Sequence, residues 1–177
     1  GDDVGQETGC AATTIDGGLC SENGDCASGW CVLHLGEKVC TKPCVEECPV
    51  GWSCEQMGAS GSDPVFICMS EYASLCQPCD ASVECGKTHR CARYPDGLGS
   101  FCGKPCQDDS GCPCGYECSA VESTEGDEVK ACVASSGECD CTEEGNRQKL
   151  GTTCSNSNQY GTCSGWRECA PEGMTEC

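Results

Sequence analysis

The chain has 177 residues, 25 of them cysteines, and a formal net charge of −19 at pH 7. Leu, Ile, Val and Phe together supply only 20 residues, about 11% of the chain. A strongly charged chain with less than about 20% of these residues normally cannot bury enough apolar surface to fold. Disulfides must therefore replace the missing core, each contributing about 2–4 kcal/mol. Because such bonds persist only in oxidising compartments, we expect a secreted or cell-surface protein.

Charge and hydropathy narrow the function classes further. So acidic a chain is not expected to bind nucleic acid, because phosphate contacts need a basic surface. No run of about 18 apolar residues is present, so no transmembrane segment is expected. The chain starts at Gly1 without Met or a signal peptide, which fits a processed chain. No cofactor is expected; weak, diffuse Ca²⁺ binding by the acidic surface is the alternative, although no segment has EF-hand spacing.

An internal repeat organises most of the sequence. Residues 40–54 contain Cys-x-Lys-Pro-Cys and then Cys-Pro-x-Gly-aromatic-x-Cys, and residues 102–118 contain both motifs again. Such a match at fixed positions predicts two homologous modules, residues 10–75 and 76–138. A polar arm, residues 1–9, precedes them, and a shorter six-cysteine module, residues 139–177, follows.

Eight cysteines occupy equivalent positions in the two modules. In the first module they are Cys20, Cys26, Cys31, Cys40, Cys44, Cys48, Cys54 and Cys68, and in the second Cys79, Cys85, Cys91, Cys102, Cys106, Cys112, Cys118 and Cys132. Eight cysteines permit 105 pairings, so the sequence does not specify the connectivity. A shared fold needs shared bridges, however, and we predict that both modules pair their cysteines identically.

The fold class predicted from these features is small and disulfide-rich, with tandem modules of short β-hairpins and loops and little helix. Short β-rich runs such as Trp30–Leu35 and Pro64–Met69 lie between clusters of turn residues. No segment shows a sustained helical period.

The C-terminal module carries a motif that resembles a known group. The segment Asn-Gln-Tyr-Gly-Thr-Cys-Ser-Gly-Trp-Arg-Glu-Cys, together with the Cys-Pro-x-Gly-aromatic-x-Cys modules before it, resembles the cysteine-rich modules of myxobacterial-type secreted and cell-surface proteins. The matching positions are Asn158, Tyr160, Gly161, Thr162, Cys163, Gly165, Arg167 and Cys169. More loosely, the first two modules look like EGF-like or Dickkopf-like cysteine-rich units. The resemblance implies an extracellular location rather than a particular activity.

Three arrangements could carry chemistry, and a structural role is favoured for each. The Cys-x-Pro-Cys of residues 76–79 resembles a thiol oxidoreductase motif but lacks the βαβ context. Residues 112–114 and 139–141 contain Cys-x-Cys, which could bind metal as thiolates, yet disulfides are expected in an export context. His34 and His89 are expected to lie in exposed loops, outside any catalytic arrangement. We predict no catalytic, cofactor-binding or metal-binding residues.

A basic island stands out in the acidic chain. Residues 76–106 contain Lys87, Arg90, Arg93 and Lys104 against three acids, whereas residues 10–75 contain two lysines against nine acids. The island is a candidate patch for docking an acidic partner, which could be a second copy of the chain. A solvated surface without a partner is the alternative.

One cysteine must remain without an intrachain partner, because 25 is an odd number. The second module has Cys76 and Cys114 beyond the shared eight, whereas the first has only Cys10. We predict a Cys76–Cys114 disulfide, three disulfides within the last module, and Cys10 as the free or interchain thiol, with Cys177 as the alternative. A single interchain bond fits a symmetric pair or a different partner chain, not a linear polymer.

These features together predict a non-enzymatic extracellular structural or adhesive protein, such as the repeating subunit of a cell-surface fibre. Its partner would be a protein, such as another copy of itself in a polymer. A soluble secreted protein-binding module, receptor-like or inhibitor-like, is the alternative.

Overall fold

The computed structural model describes residue 15, residues 18–58 and residues 63–177. These residues form short antiparallel hairpins and one short α-helix, which confirms the predicted fold class. The elements are β1 (Cys31–His34), β2 (Glu37–Cys40), β3 (Trp52–Met57), β4 (Val65–Ser70), β5 (Arg90–Tyr94), β6 (Gly99–Gly103), β7 (Tyr116–Glu122), β8 (Glu128–Ala134), α1 (Glu143–Gln148), β9 (Gly151–Asn158), β10 (Gly161–Ala170) and β11 (Gly173–Met174). No helix among the described residues is long and apolar enough to cross a membrane.

The eight shared cysteines pair identically in the two modules, which confirms that prediction. The first module contains Cys20–Cys31, Cys26–Cys40, Cys44–Cys54 and Cys48–Cys68. The second contains Cys79–Cys91, Cys85–Cys102, Cys106–Cys118 and Cys112–Cys132. Four of the seven steps between successive cysteines are equal in the two modules and three differ, so the connectivity is shared although some loops differ in length.

The structure also shows a smaller repeat, half a module long. In each group of four cysteines the first pairs with the third and the second with the fourth. The third and fourth lie directly opposite each other in one hairpin, as Cys31 and Cys40 do in β1–β2. The corresponding pairs are Cys54 and Cys68, Cys91 and Cys102, and Cys118 and Cys132. The described chain thus contains four such units in series, β1–β2, β3–β4, β5–β6 and β7–β8.

The same main-chain bonds recur in every unit. In the first unit the Cys20 amide donates to the Lys38 carbonyl at 3.0 Å, and the Cys40 amide donates to the Gly18 carbonyl at 3.1 Å. The first and fourth cysteines of the other three units make the equivalent two bonds. A short third segment therefore lies along each hairpin and places the first cysteine beside its disulfide partner.

Hairpin connections of different length conceal this smaller repeat in the sequence of the first module. Strands β1 and β2 are joined by Leu35 and Gly36, both with positive φ (50° and 76°), as in a two-residue type I′ turn. The β3–β4 connection is seven residues long, from 58 to 64. The two halves of the first module therefore differ in cysteine spacing. In the second module the smaller repeat is visible, because the first three cysteines of both halves follow six-residue steps, at 79, 85 and 91 and at 106, 112 and 118.

The C-terminal module consists of α1 and a three-stranded sheet of order β11-β10-β9. Thr142 caps the helix, since its hydroxyl accepts the Gly145 amide at 3.0 Å. The disulfides Cys141–Cys169 and Cys154–Cys177 hold the sheet to its flanking segments.

This module is joined to both of the others. The Thr142 hydroxyl donates to the Gly36 carbonyl of the β1–β2 turn at 2.8 Å. The Thr152 hydroxyl donates to the Cys79 carbonyl at 2.9 Å, and a disulfide links Cys76 to Cys139. The C-terminal module therefore connects the first and second modules through contacts distant in sequence.

The apolar clusters are small, as the composition requires. One contains Val32, Val39, Trp52 and Ile67, and Trp52 stacks on His34 with ring centroids 4.7 Å apart. Another contains Tyr94 and Phe101, which meet edge-to-face at 5.0 Å. The disulfides lie among these clusters and share the role of a core.

Candidate interaction surface

The unpaired cysteine found in the described part of the chain is Cys163, on the exposed face of β10. The prediction that the last module closes three disulfides internally is wrong, because Cys139 leaves it to pair with Cys76. Cys177, the alternative unpaired residue, is bonded to Cys154. Four cysteines of the last module thus pair among themselves, which leaves Cys163 free.

The predicted Cys76–Cys114 disulfide is also wrong. Cys76 pairs with Cys139, and Cys114 is itself disulfide-bonded. The prediction had assumed that extra cysteines of one module pair with each other, whereas Cys76 anchors the module that follows. Cys10, predicted as the free thiol, lies outside the described residues.

The distal half of the β9–β10 hairpin projects into solvent. We call residues 155–164 the ribbon; from residue 156 to residue 164 every side chain is exposed. Tyr160, at the turn, is 88% exposed. The turn is stabilised locally, because the Asn158 side chain accepts the Tyr160 amide at 2.8 Å. Across the strands the Ser157 and Thr162 hydroxyls lie 2.8 Å apart and share a hydrogen bond.

The base of the hairpin is firmly anchored. The Thr152 hydroxyl accepts the Ser100 amide at 2.9 Å while it donates to Cys79, and Thr152 is fully buried. From β10 the Arg167 guanidinium donates to the carbonyls of Leu98, at 2.9 Å, and Thr175, at 2.8 Å. Because its base is anchored and its tip is exposed to solvent, the ribbon is accessible for contact with another molecule.

The ribbon is electrically distinct from the rest of the molecule. The 17 residues from Leu150 to Trp166 contain no charged side chain, in a chain whose net charge is −19. Sequence reasoning used part of this segment only for its resemblance and did not identify it as a surface. The length of the uncharged run was the signal that could have found it.

The structure disperses the basic island. Arg90 and Arg93 are three residues apart on β5 and therefore project to opposite faces of the strand. Arg93 forms an ion pair with Glu122 at 3.5 Å. Lys104 forms one with Glu71 at 2.7 Å and lies 4.4 Å from the centre of the Tyr72 ring. Lys87 is exposed beyond the start of β5. A partner-binding role for these residues stays a prediction.

The histidines are buried, so the prediction that they lie in exposed loops is wrong. Both are 4% exposed. Burial lowers the pKa of His34, whose Nδ1 lies 2.7 Å from the Ser70 hydroxyl. Burial and the nearby Lys104 lower the pKa of His89 to about 4. Sequence reasoning missed their packing because His34 lies on a strand of only four residues and His89 precedes β5, and neither position carries a periodic signal.

The cysteine motifs considered for redox or metal chemistry are built from disulfides. Cys76 and Cys79 bond to different cysteines, Cys139 and Cys91, and so do not form a redox pair with each other. The four compact cysteine clusters with metal-like spacing consist of sulfurs that are already in disulfides. A disulfide sulfur is not a thiolate ligand, so the structural interpretation is favoured.

A shallow groove lies between β5 and the β7–β8 hairpin, with a volume of about 450 Å³. Val121, Val133 and Ala134 supply apolar lining, and Arg93 and Glu117 supply charged groups of both signs. The arrangement could hold an extended polypeptide, with apolar contact and polar groups for orientation.

No protein-family model matches the chain, and no curated protein or solved structure matches it either. The disulfide-rich hairpins fit a cysteine-rich module of the general kind expected from the sequence. Assignment to myxobacterial-type, EGF-like or Dickkopf-like units stays a prediction. The disulfides do indicate an extracellular protein, since cross-linking of this density needs an oxidising compartment.

Proposed function

We propose that this chain is an extracellular structural protein that keeps a fixed shape and makes protein–protein contacts without catalysis. The observation that carries the proposal is the fourfold repeat of hairpins, each closed by two interlaced disulfides. Each closed loop restricts the unfolded chain, so the native state gains stability without a large core. A protein of this design resists unfolding and proteolysis, which suits structural work outside the cell.

The links between modules support the same role. The Cys76–Cys139 disulfide spans 63 residues, and the contacts of Thr142 and Thr152 join the C-terminal module to both repeats. Relative motion of the modules is therefore restrained at several points. A fixed spacing between surfaces is what the subunit of a fibre or surface layer requires.

The experiment measures two properties of the purified protein, its resistance to proteolysis and its state of self-association. We expect the purified native chain to survive prolonged digestion by a broad-specificity protease at 50 °C and to appear in self-associated form by electron microscopy. Rapid digestion of the disulfide-bonded chain would contradict the structural role.

A soluble protein-binding module is the second candidate, and the groove beside β5 is the observation that favours it. A binding module should behave as a monodisperse protein that captures one partner by contacts in this groove. Replacing Val133 by Glu would then abolish capture while leaving the protein monodisperse and disulfide-bonded.

A further inference from the structure

The outer edge of β10 is open at the ribbon. Near the base, the C-terminal segment covers this edge, since the Thr175 amide donates to the Glu168 carbonyl at 3.0 Å and the Thr175 hydroxyl accepts the Glu168 amide at 3.0 Å. Strand β11 pairs only with Cys169 and Ala170. Within the described part of the chain, no strand pairs with the outer edge of residues 161–164.

This edge lacks the features by which proteins usually prevent strands from pairing between molecules. Exposed edges normally carry Lys, Pro, a bulge or inward-pointing charge. The ribbon contains neither Pro nor any charged residue. Strand β10 pairs regularly with β9 from Gly161 to Glu168 without a bulge. Its outer main-chain groups are therefore available to another strand.

Electrostatics selects a second copy of the chain as the partner. Two molecules of charge −19 repel each other over most of their surfaces. Ribbons that approach tip to tip bring together the longest uncharged segment of each chain, so repulsion is smallest there. A basic partner would instead favour the acidic surfaces elsewhere on the molecule.

We propose that two copies pair antiparallel through residues 161–164 of β10, and that an interchain disulfide between their Cys163 residues locks the pair. The proposal rests on the structural function and names its partner. A two-fold axis at Cys163 places this residue opposite its own copy and Thr162 opposite Ser164. Directly opposed residues in antiparallel strands have Cα atoms about 4.5–5.5 Å apart, within the roughly 4.4–6.8 Å of a disulfide.

The bond forms by thiol–disulfide exchange with a small extracellular disulfide such as oxidised glutathione. The Cys163 thiolate of one copy attacks the small disulfide, forms a mixed disulfide and releases one thiol. The Cys163 thiolate of the second copy then attacks the Cys163 sulfur of the first and releases the second thiol. Two protein thiols are oxidised and one small disulfide is reduced to two thiols.

The covalent bond compensates for a small contact. Stable interfaces bury about 1,200–2,000 Å² in total, and the pairing of two four-residue edges falls well below this. Strand pairing orients the two thiols, and the disulfide then makes the contact permanent. With Cys163 used, no other free thiol remains among the described residues, so this link closes a dimer. A larger assembly must grow through other surfaces.

The test follows covalent dimer formation in a reduced/oxidised glutathione buffer by non-reducing electrophoresis and peptide mass spectrometry. Wild type should yield a peptide containing two Cys163 residues, and Cys163→Ser should yield no covalent dimer. Thr162→Lys places a charge on the pairing edge and should slow dimer formation at least about fivefold. Ser157→Lys is the matched control, because Ser157 lies opposite Thr162 on β9. Its rate should stay within about twofold of wild type.

Two results would overturn the proposal. One is a wild-type chain that stays monomeric or carries only a mixed disulfide with glutathione at Cys163. The other is equal slowing by Thr162→Lys and Ser157→Lys, which would mean that the thiols meet by unoriented collision. Protease resistance measured on the same samples distinguishes the proposed structural function from the proposed dimer. A chain that resists the protease but does not dimerise contradicts the Cys163-linked dimer and not the structural function.

Discussion

Replacing Thr152 by Val should weaken the attachment of the C-terminal module to the second module. Val keeps the size and β-branching of Thr but cannot make the two hydrogen bonds of its hydroxyl. Those bonds connect Thr152 to the Ser100 amide and the Cys79 carbonyl, both at 2.9 Å. Ser100 is 3% exposed and Cys79 is 0% exposed, so water cannot replace the lost partner.

The size of the effect follows from the two groups left unpaired. Each buried polar group without a partner costs about 1–3 kcal/mol, so the two together should lower the free energy of unfolding by about 2–6 kcal/mol. For a chain of this size, at about 2–4 °C per kcal/mol, that corresponds to a fall of roughly 4–24 °C in Tm. Exchange of the Ser100 amide hydrogen should accelerate by about tenfold or more, since 1.4 kcal/mol is a factor of ten.

The assay is thermal unfolding of the disulfide-bonded chain combined with hydrogen exchange resolved at Ser100. Thr153→Val is the matched control, because Thr153 is the exposed neighbour on the same strand. Its free energy of unfolding should change by no more than about 0.5 kcal/mol, as is usual for surface substitutions, so its Tm should stay close to that of wild type. Equal Tm values for the two variants, or unchanged exchange at Ser100, would refute the reasoning.

Two further predictions concern the disulfides and the Glu144 carboxylate, whose oxygens lie 3.2 Å from the Lys38 Nζ and 2.6 Å from the Arg147 Nη1. Glu144 is 3% exposed; burial raises the pKa of its carboxyl, but bonds from Gln148 and Lys38 and the charges of Lys38 and Arg147 outweigh this and lower it below 4.5. A carboxyl whose pKa is lower in the folded than in the unfolded chain stabilises the fold at pH values above its unfolded pKa. This stabilisation is lost as the pH falls through the folded pKa. Below about pH 4.5, Tm should therefore drop more in wild type than in Glu144→Gln. Parallel Tm curves for the two proteins between pH 6 and pH 3 would contradict this. Full reduction should unfold the chain, because the small apolar clusters cannot hold it; a reduced sample that kept dispersed amide resonances would show that the disulfides are dispensable.

The sequence alone was sufficient to predict the fold class and the equal connectivity of the two modules. Both depend on local properties. Composition shows that disulfides must replace the core, and the repeated cysteine motifs of residues 40–54 and 102–118 bring equivalent cysteines to equivalent places in each hairpin. The half-module repeat is hidden in the first module, where the β1–β2 and β3–β4 connections differ in length. In the second module, the equal six-residue steps from residue 79 to 91 and from residue 106 to 118 were the signal that could have found it.

Only the tertiary structure decided which cysteine stays unpaired. Parity requires an odd thiol but does not locate it. The outcome depends on Cys139 lying beside Cys76, 63 residues away, with Cα atoms 5.4 Å apart. That approach is fixed by the docking of α1 and β9 on the two repeats, through contacts such as Thr142 with Gly36 and Thr152 with Cys79. Long-range geometry of this kind leaves no periodic trace in sequence, and it leaves Cys163, on the uncharged ribbon, as the free thiol among the described residues.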